Sequence, residues 1–364
     1  MLLISCEANK KPASQLSLSD VIQIHKMHID LDSFLLNHYE RGFNIFQDSS
    51  EFYYIAYNRH THAIDWYDIT HGNFSHRMVL EKQGPNQVIE QVYGIYVQTM
   101  DSLFLNDGVF LYLMDSTGVV LQKIPTVFET SMGLASLVNS GDSPLKYHPN
   151  RGSLLGEAIL IGQPLSKTEV YFAEVNFNTQ KIQMHSAANA GCYTENASVN
   201  NWVNVQFKGD SILYSITCSS EIFIYDLESQ TTSIQKAYSS LSKNQMSNIS
   251  GSDPETLWRH YIESPRFFQI VHSPYDNHYY RMHWKEAVYQ IDEANFTTAY
   301  DKEIILSVFD ENLNLIHEII LPPNQYLTGT LLPTPKGLLL NANHPKNKNY
   351  DPDKMELHVL HYDL

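Results

Sequence analysis

Cysteine is scarce in this chain, whose 364 residues include only Cys6, Cys192 and Cys218. Three cysteines cannot form a disulfide framework, so the fold must be held together by a hydrophobic core. Nothing in the sequence brings Cys192 and Cys218 together. We therefore expect these two residues to be separate reduced thiols.

Basic residues and long apolar segments are also few. The 24 Lys and Arg residues stand against 40 Asp and Glu residues, which gives a formal net charge of −16. This charge repels phosphate backbones and anionic lipid surfaces, and it argues against nucleic acid as a partner. No segment approaches the roughly 18 apolar residues that a membrane helix needs, so we expect membrane contact only through a lipid anchor.

Sharp catalytic and metal-binding motifs are absent from the sequence. It contains no Gly-x-Ser-x-Gly, His-Glu-x-x-His or Cys-x-x-Cys pattern, no P-loop and no EF-hand loop. His60 and His62 could point two imidazoles in one direction, but their spacing fixes no further ligand. We predict neither a metal nor a cofactor. The lack of such motifs does not exclude an enzyme that gathers single catalytic residues from several strands.

The sequence does contain a strand-and-turn phrase that recurs six times. Each copy is a β-branched and aromatic run ending in Asp or Asn, and the copies occupy residues 63–68, 111–115, 170–176, 222–226, 305–310 and 357–363. Such runs favour strands, and the closing Asp or Asn favours a turn. The shortest spacing, 47 residues from Asp68 to Asp115, fits a four-stranded blade. The sequence therefore predicts an all-β fold, a six-bladed β-propeller with four-stranded blades.

The last copy of the phrase predicts how the ring closes. It takes the third strand of its blade and only Leu364 follows it, so the sixth blade lacks an outer strand. Residues 17–29 include a strand-like alternation, and we predict that this N-terminal strand pairs beside the C-terminal strand and covers its edge. Residues 16–364 then form a single propeller domain, and residues 1–15 are a lipobox remnant and tether.

Loop lengths predict which face of the propeller carries the function. Connections between second and third strands, and between successive blades, emerge on one face. The four long insertions all belong to these connections: residues 126–157, 238–265, 285–301 and 344–353. We call this side the long-loop face and the side with the tight hairpins the short-turn face. Long loops on a rigid scaffold are a usual place for binding or catalysis.

The N-terminus predicts an envelope location. Residues 2–6 read Leu-Leu-Ile-Ser-Cys, the apolar run, small residue and cysteine of a bacterial lipobox. The charged region and most of the apolar region of a full signal peptide are missing from this sequence. We expect lipid attachment at Cys6 and a protein anchored in the cell envelope, either periplasmic or surface-exposed.

Several segments resemble a known family. They are Cys6 behind its lipobox, the strand at residues 53–58, the Gly-Pro-Asn link at residues 84–86, and the Ser-Pro-Tyr-Asp-Asn-His-Tyr-Tyr-Arg segment at residues 273–281. Over nearly the whole chain the sequence is similar to uncharacterised six-bladed propeller lipoproteins of Bacteroides and relatives, a domain of unknown function. The resemblance implies the propeller fold and the envelope location, and it carries over no catalytic residues.

The strongest candidate binding site lies where a strand runs into the third long insertion. Alternation would place Arg281 and His283 on one side of this strand and Trp284 on the other. Arg281 and His283 could bind a carboxylate or sulfate, and Trp284 could stack on a sugar ring. In the alternative, structural interpretation, Arg281 pairs with a carboxylate of the neighbouring blade and the aromatic rings pack between sheets.

A second candidate group lies in the insertion at residues 238–265. Trp258, Arg259 and His260 follow a helix start in which Pro254 takes the first helical position. This helix could act as a lid. Alternatively, Trp258 could anchor the loop to the body of the propeller.

These observations lead to two functional hypotheses. The first is a monomeric binding or scaffolding module that holds a glycan or an envelope protein on the long-loop face. The alternative is a glycan-active lyase or hydrolase in the central funnel, with Arg281, His283 and His260 as candidate catalytic groups. An enzyme should bring an acid or base and a charged group together in one pocket, whereas a binding module does not need this convergence.

Overall fold

The computed structural model describes residues 14–16, 22–31, 36, 43–89, 91–138, 145–163, 169–189, 203–247, 249, 253–290 and 297–362. Within these residues, six sheets form the blades of a six-bladed β-propeller, which confirms the predicted fold. No helix of the described residues is long and apolar enough to cross a membrane.

The first half of the chain forms two N-terminal strands and the first three blades. The N-terminal strands are β1 (Ser14–Leu16) and β2 (Ile22–Asp30). Blade one consists of β3 (Phe43–Asp48), β4 (Glu51–Asn58), β5 (Ala63–Asp68) and β6 (Asn73–Val79). Blade two consists of β7 (Gly94–Thr99), β8 (Ser102–Asn106), β9 (Phe110–Met114) and β10 (Val120–Pro125). Blade three contains β11 (Val127–Thr130), β12 (Gly133–Leu137), β13 (Lys146–His148), β14 (Ser153–Leu160), β15 (Glu169–Asn176) and β16 (Lys181–Ala188).

The second half forms the remaining three blades. Blade four consists of β17 (Val203–Lys208), β18 (Ser211–Ile216), β19 (Ile222–Asp226) and β20 (Thr232–Gln235). Helix α1 (Pro254–Glu263) precedes blade five, which contains β21 (Arg266–Ser273), β22 (His278–Trp284), a 3₁₀ turn (Ala299–Asp301), β23 (Ile304–Phe309) and β24 (Leu315–Ile320). Blade six consists of β25 (Leu331–Thr334), β26 (Gly337–Asn341), β27 (Lys354–Tyr362) and the N-terminal β2.

Two blades carry strands beyond the basic four. In blade three, β12 and β13 pair with opposite ends of β14, and β11 extends the sheet beyond β12. In blade five, β1 pairs in parallel with the outer strand β24. Ser14 and Gln15, which belong to the segment read as a tether, therefore form part of a strand.

Turn chemistry explains why the repeated phrase ends in Asp or Asn. Asp68 Oδ1 accepts hydrogen bonds from the backbone N–H groups of Thr70 and His71, at 2.8 and 3.0 Å. The same kind of side-chain bond to the following turn occurs at Asp115, Asn176, Asp226 and Asp310. Each of these residues ends or directly follows the third strand of its blade. The short polar side chain therefore starts the turn that leads into the outer strand.

The sixth blade closes the ring with the N-terminal strand, as predicted. Strand β2 runs antiparallel to β27 through nine residue pairs, from Ile22 opposite Tyr362 to Asp30 opposite Lys354. Ile29 is buried at this closing seam, in an apolar cluster that blades six and one share. The predicted segment began at residue 17, and residues 17–21 lie outside the described residues. The seam joins the two ends of the chain by backbone hydrogen bonds and by a common core.

A sharp hairpin in the same blade requires glycine. Gly337 lies in the β25–β26 turn with φ at +128°, a value that disfavours other residues. A Cβ atom at this position would lie 2.1 Å from the carbonyl oxygen of Leu360 on β27. The glycine therefore allows the turn to pass close to the third strand.

One expectation about cysteine is wrong. Cys218 is disulfide-bonded and fully buried, although we expected a reduced thiol. The sequence contains no local pattern that would pair it, because disulfide partners are brought together only by the fold. Cys6 and Cys192, together with their predicted states, lie outside the described residues.

We predict that ring closure depends on the buried side of β2. Replacing Ile29 with Ala should lower the free energy of unfolding by about 2–4 kcal/mol, because it leaves a cavity in the seam. His28→Ala, at an exposed position of the same strand, should change it by about 0.5 kcal/mol or less. Urea unfolding of both variants tests this, and equal stabilities would contradict the closing role of β2.

Candidate functional site

Strand β22 carries the strongest group of predicted site residues, and its two sides face different blades. Tyr279 belongs to the apolar cluster shared with blade four, whereas Tyr280 and Met282 belong to a cluster shared with blade six. Arg281 and His283 lie on the side of Tyr279, and Trp284 packs with the other set. The structure therefore confirms that Arg281 and His283 lie on one side of β22 and Trp284 on the other.

Arg281 is completely buried and holds blade five against blade four. Its Nη1 and Nη2 atoms donate hydrogen bonds to the carbonyl oxygens of Ser220 and Ala237, at 2.8 and 3.2 Å. The guanidinium carbon lies 4.9 Å from the ring centre of Phe267 and 5.4 Å from that of Phe309. Burial lowers the pKa of Arg281. The partners across the interface are thus backbone carbonyls, where the structural interpretation expected a carboxylate.

His283 is equally buried and lies beside Arg281 in this interface. Its ring stacks on Phe267 with centres 5.0 Å apart, and its Nε2 atom lies 3.0 Å from the Ser242 hydroxyl. Burial and the positive charge of Arg281 lower the pKa of His283 well below its ordinary value. The imidazole is therefore neutral near pH 7.

Blade five also holds the beginning of the loop that follows blade four. The buried Glu318 accepts two hydrogen bonds of 2.7 Å from Ser240, one from the backbone N–H and one from the hydroxyl. Glu286 accepts a bond of 3.1 Å from the backbone N–H of Lys243. Together with the contact between His283 and Ser242, these bonds fix the loop over the interface.

Helix α1 begins as the sequence predicts. The Asp253 side chain accepts a hydrogen bond of 2.9 Å from the backbone N–H of Thr256, and Pro254 is the first helical residue. The helix carries Trp258, which stacks on Tyr261 at 5.5 Å and donates from Nε1 to the Thr297 carbonyl oxygen at 3.2 Å. This tryptophan therefore anchors the helix to the neighbouring loop.

Tyr261 brings two of the predicted residues together. Its ring lies edge-on to Trp284 at 5.8 Å and stacks on Trp258 at 5.5 Å. Trp284 also meets Phe268 edge-on at 4.9 Å. Both tryptophans are partly buried. Tyr261 therefore links the two tryptophans in one partly buried aromatic cluster.

Lys302 caps the C-terminal end of this helix. The sequence did not indicate this residue. Its Nζ atom donates to the carbonyl oxygens of Tyr261 and Ser264 at 3.0 and 2.6 Å, and burial lowers its pKa to about 7. His260 lies beside it, with Nδ1 3.3 Å from the Ser264 hydroxyl. Burial and Lys302 lower the pKa of His260. No sequence signal marks Lys302, because its partners are backbone atoms that only the fold brings near.

The six predicted residues therefore form two groups with different surroundings. Arg281 and His283 lie between blades four and five, and Trp284, Trp258 and His260 lie around the helix. Arg259 is exposed on the helix, where it pairs with Glu255 at 3.3 Å and lies over the Tyr289 ring. Among the described residues, no hydrogen bond joins Arg281, His283 and His260. Their hydrogen bonds and ring contacts stabilise the interface and the helix.

A different surface on the long-loop face carries exposed apolar side chains. The hairpin of β11 and β12 projects from blade three, and Ala135 and Leu137 on its inner side are buried. Its outer side is continuous with the end of β14, because Ser136 pairs with Ile159 and Leu134 O accepts from the N–H of Ile161 at 2.8 Å. The exposed aliphatic residues here, between 37% and 48% exposed, are Val109, Val127, Leu134, Ile159 and Ile161. We call these five residues the aliphatic ridge.

The comparisons with known proteins agree with this architecture. The fold defines the chain as a six-bladed β-propeller. Residues 16–320 match the model of DUF4221, a domain of unknown function, and the chain belongs to this family. Its fold is similar to the crystal structure of a DUF4221 family member from Bacteroides vulgatus, with a TM-score of 0.79 and 16% identity over 93% of this chain and 98% of that chain. The resemblance inferred from the sequence is thus confirmed.

Two further similarities are weaker. An uncharacterized protein of Ureaplasma parvum is 30% identical over 101 residues, which cover 28% of this chain and 42% of that protein. The chain thus spans less than half the length of this curated relative. A luciferin-regenerating enzyme has a TM-score of 0.47 and 10% identity over 93% of this chain and 95% of that chain. That score is too low to support an argument about function.

We predict that Arg281 stabilises the interface between blades four and five. Replacing it with Leu should lower the free energy of unfolding by about 2–4 kcal/mol, because two buried carbonyl oxygens lose their donor. Arg259→Leu removes the same charge from an exposed position and should have an effect of about 0.5 kcal/mol or less. Chemical denaturation of the two variants measures the difference. A loss no larger for Arg281→Leu than for Arg259→Leu would refute the interface role.

Proposed function

We propose that this chain is an envelope-tethered binding module that docks a protein partner on the aliphatic ridge. The observation that carries the proposal is the group of five exposed aliphatic side chains at one place on the long-loop face. Exposed apolar side chains grouped on one side of a sheet are typical of a protein interaction site. Each side chain is held by a strand or a tight turn of a rigid blade, so the surface is formed before a partner arrives.

The ridge also offers backbone groups to a partner. Strand β11 is the last strand of its sheet and pairs only with β12 among the described residues. An extended segment of a partner could add to this edge and place alternate apolar side chains on Val127 and Leu134. Glu129 lies on the same side of the hairpin and would favour a basic residue beside that segment. The partner is therefore an extended apolar segment with a nearby positive charge.

The polar residues that the glycan-active hypothesis selects, Arg281 and His283, make structural contacts in the fold. Arg281 binds two carbonyl oxygens, and His283 lies behind the Ser242 loop. These contacts support structural roles. No observation on the described residues favours the glycan-active hypothesis over the binding module.

The envelope location is supported by the sequence and by the family resemblance. Cys6 lies outside the described residues, so its proposed lipid attachment is argued from the lipobox alone. A tether at the N-terminus would leave the long-loop face available, because β1 pairs with the outer strand of blade five and β2 itself is the outer strand of blade six.

We predict a partner contact at Leu134 in the native cell envelope. A photo-crosslinking amino acid at this position should form a discrete protein adduct, because the side chain is 45% exposed in the centre of the ridge. The matched control is the same amino acid at Ile234, which is 53% exposed on the outer strand of blade four. Adducts are detected by gel electrophoresis and mass spectrometry.

A charged substitution on the ridge provides the second part of this experiment. Val127→Glu in the Leu134 crosslinking protein should remove the adduct, whereas Ile234→Glu should leave it unchanged, since only the first places a carboxylate in the apolar contact. Equal adducts from positions 134 and 234, or an adduct that survives Val127→Glu, would count against docking on the ridge.

We also predict that Cys6 carries the tether. With a native upstream signal restored, Cys6→Ala should move the protein from the membrane fraction to the soluble fraction, because each buried CH₂ of an acyl chain contributes roughly 0.8 kcal/mol to membrane binding. Cys6→Ser provides a second variant without a thiol. If both variants stay in the membrane fraction, the lipid tether is excluded, while docking on the ridge is unaffected by that result.

A further inference from the structure

A cleft of about 220 Å³ opens where the ring closes between blades six and one. It lies among the tight hairpins of the short-turn face, and the aliphatic ridge lies on the long-loop face. The walls come from β2, β27 and three turns. Its lining includes His25, Met27, Ser50, Phe52, Lys336 and Val359.

The interior of the cleft is mainly apolar. His25 and Met27 are two residues apart on β2 and point to the same side, with Val359 directly opposite His25 on β27. Phe52 and Ile69 form the wall of blade one, where the Ile69 N–H donates to the Phe52 carbonyl oxygen at 2.9 Å. An occupant would therefore bury an apolar body between the two blades.

The Thr70 hydroxyl and the carboxylates of Asp68 and Glu51 near the cleft already have partners. The Thr70 hydroxyl accepts from the Phe52 N–H at 2.9 Å. Asp68 accepts from the backbone and the imidazole of His71, and Glu51 accepts from the Tyr53 hydroxyl. The carboxylates are thus engaged in the turns of blade one.

Two basic side chains of the cleft are available. The Lys336 ammonium and the His25 imidazole make no hydrogen bond or ion pair with any described residue, and both side chains are exposed. Lys336 stands in the β25–β26 turn at the rim. A chain of net charge −16 has little general attraction for anions, so an anion would need such a local cation.

We propose that this cleft binds a small monocarboxylic acid with an apolar chain. The chain lies between Met27, Phe52 and Val359, and the carboxylate pairs with the Lys336 ammonium. An ammonium is a compact donor that suits a single carboxylate at a partly exposed rim. A neutral alcohol would lose this pair, and acetate would lose the apolar contact.

Binding should also stabilise ring closure. The cleft exists only when β2 and β27 of blade six lie against the turns of blade one. A ligand that binds the closed ring and not the unfolded chain raises stability by mass action. This inference is independent of the proposed partner docking, because it concerns a different site on the opposite face.

Octanoate is the probe for the test. Methyl NMR of the methionine-labelled full chain should show a saturable shift of the Met27 signal, which Met27→Leu identifies, and thermal unfolding should show a raised melting temperature. Octanol, octylamine and acetate at equal concentration should each bind more weakly. Lys336→Gln should weaken octanoate binding about tenfold, because a charge-assisted bond is lost. Lys348→Gln removes a charge from the other face of the same blade and should leave binding unchanged.

Ser50→Trp supplies a variant that blocks the cleft by volume at an exposed turn, and it should abolish the Met27 shift. The proposal is overturned if octanoate leaves the Met27 signal unchanged. It is also overturned if octanol binds as tightly as octanoate, if Lys336→Gln and Lys348→Gln bind alike, or if Ser50→Trp retains full binding.

Discussion

The antiparallel pairing of β2 with β27 is the interaction on which the rest of this structure depends. A propeller blade is an open sheet, and each of its faces is apolar because it packs on the next blade. The pairing of Ile22–Asp30 with the C-terminal strand gives blade six its outer strand and joins the two ends of the ring. Without it, blade six would expose an edge, and the apolar cluster shared with blade one would lose Ile29.

Local chemistry allowed much of this fold to be predicted from the sequence. In blades one to five the closing Asp or Asn of the repeated phrase bonds to the turn that follows it, so a local residue pattern marks the third strand of these blades. The missing outer strand was predictable because sheet edges must be covered. Alternation along β22 was predictable because it is a property of any strand. Features that depend on residues distant in the sequence were not predictable. These are the carbonyl partners of Arg281, the role of Lys302 and the disulfide at Cys218.

The aliphatic ridge shows a further limit of sequence reasoning. Val127 and Leu134 have the same apolar character as core residues, and alternation places them on one side of a hairpin without saying which side faces solvent. Only the position of the hairpin beyond β14 leaves that side uncovered by the described residues. Arg281 and His283, the strongest candidates from the sequence, are buried, whereas Arg259 is exposed and pairs with Glu255. Function is therefore better sought among exposed apolar groups on this scaffold.

The two faces of the propeller divide the proposed functions. The long-loop face presents the ridge to a partner, and its longest loop is fixed by Glu318, His283 and helix α1. The short-turn face presents the cleft, whose walls belong to the closing seam. The cleft depends directly on closure of the ring, because its walls come from blades six and one. The ridge depends on the sheet of blade three, where β11 and β12 extend the sheet beyond β14.

Native-state hydrogen exchange of the β2 amides tests this account most directly. If β2 is an integral strand of the ring, those of its amides that donate to β27 should exchange as slowly as the paired amides of β4 in blade one, since both would open only with global unfolding. The account would be contradicted if these β27-bonded amides exchanged rapidly while those of β4 stayed protected. In that case the ring would keep its structure without its N-terminal strand.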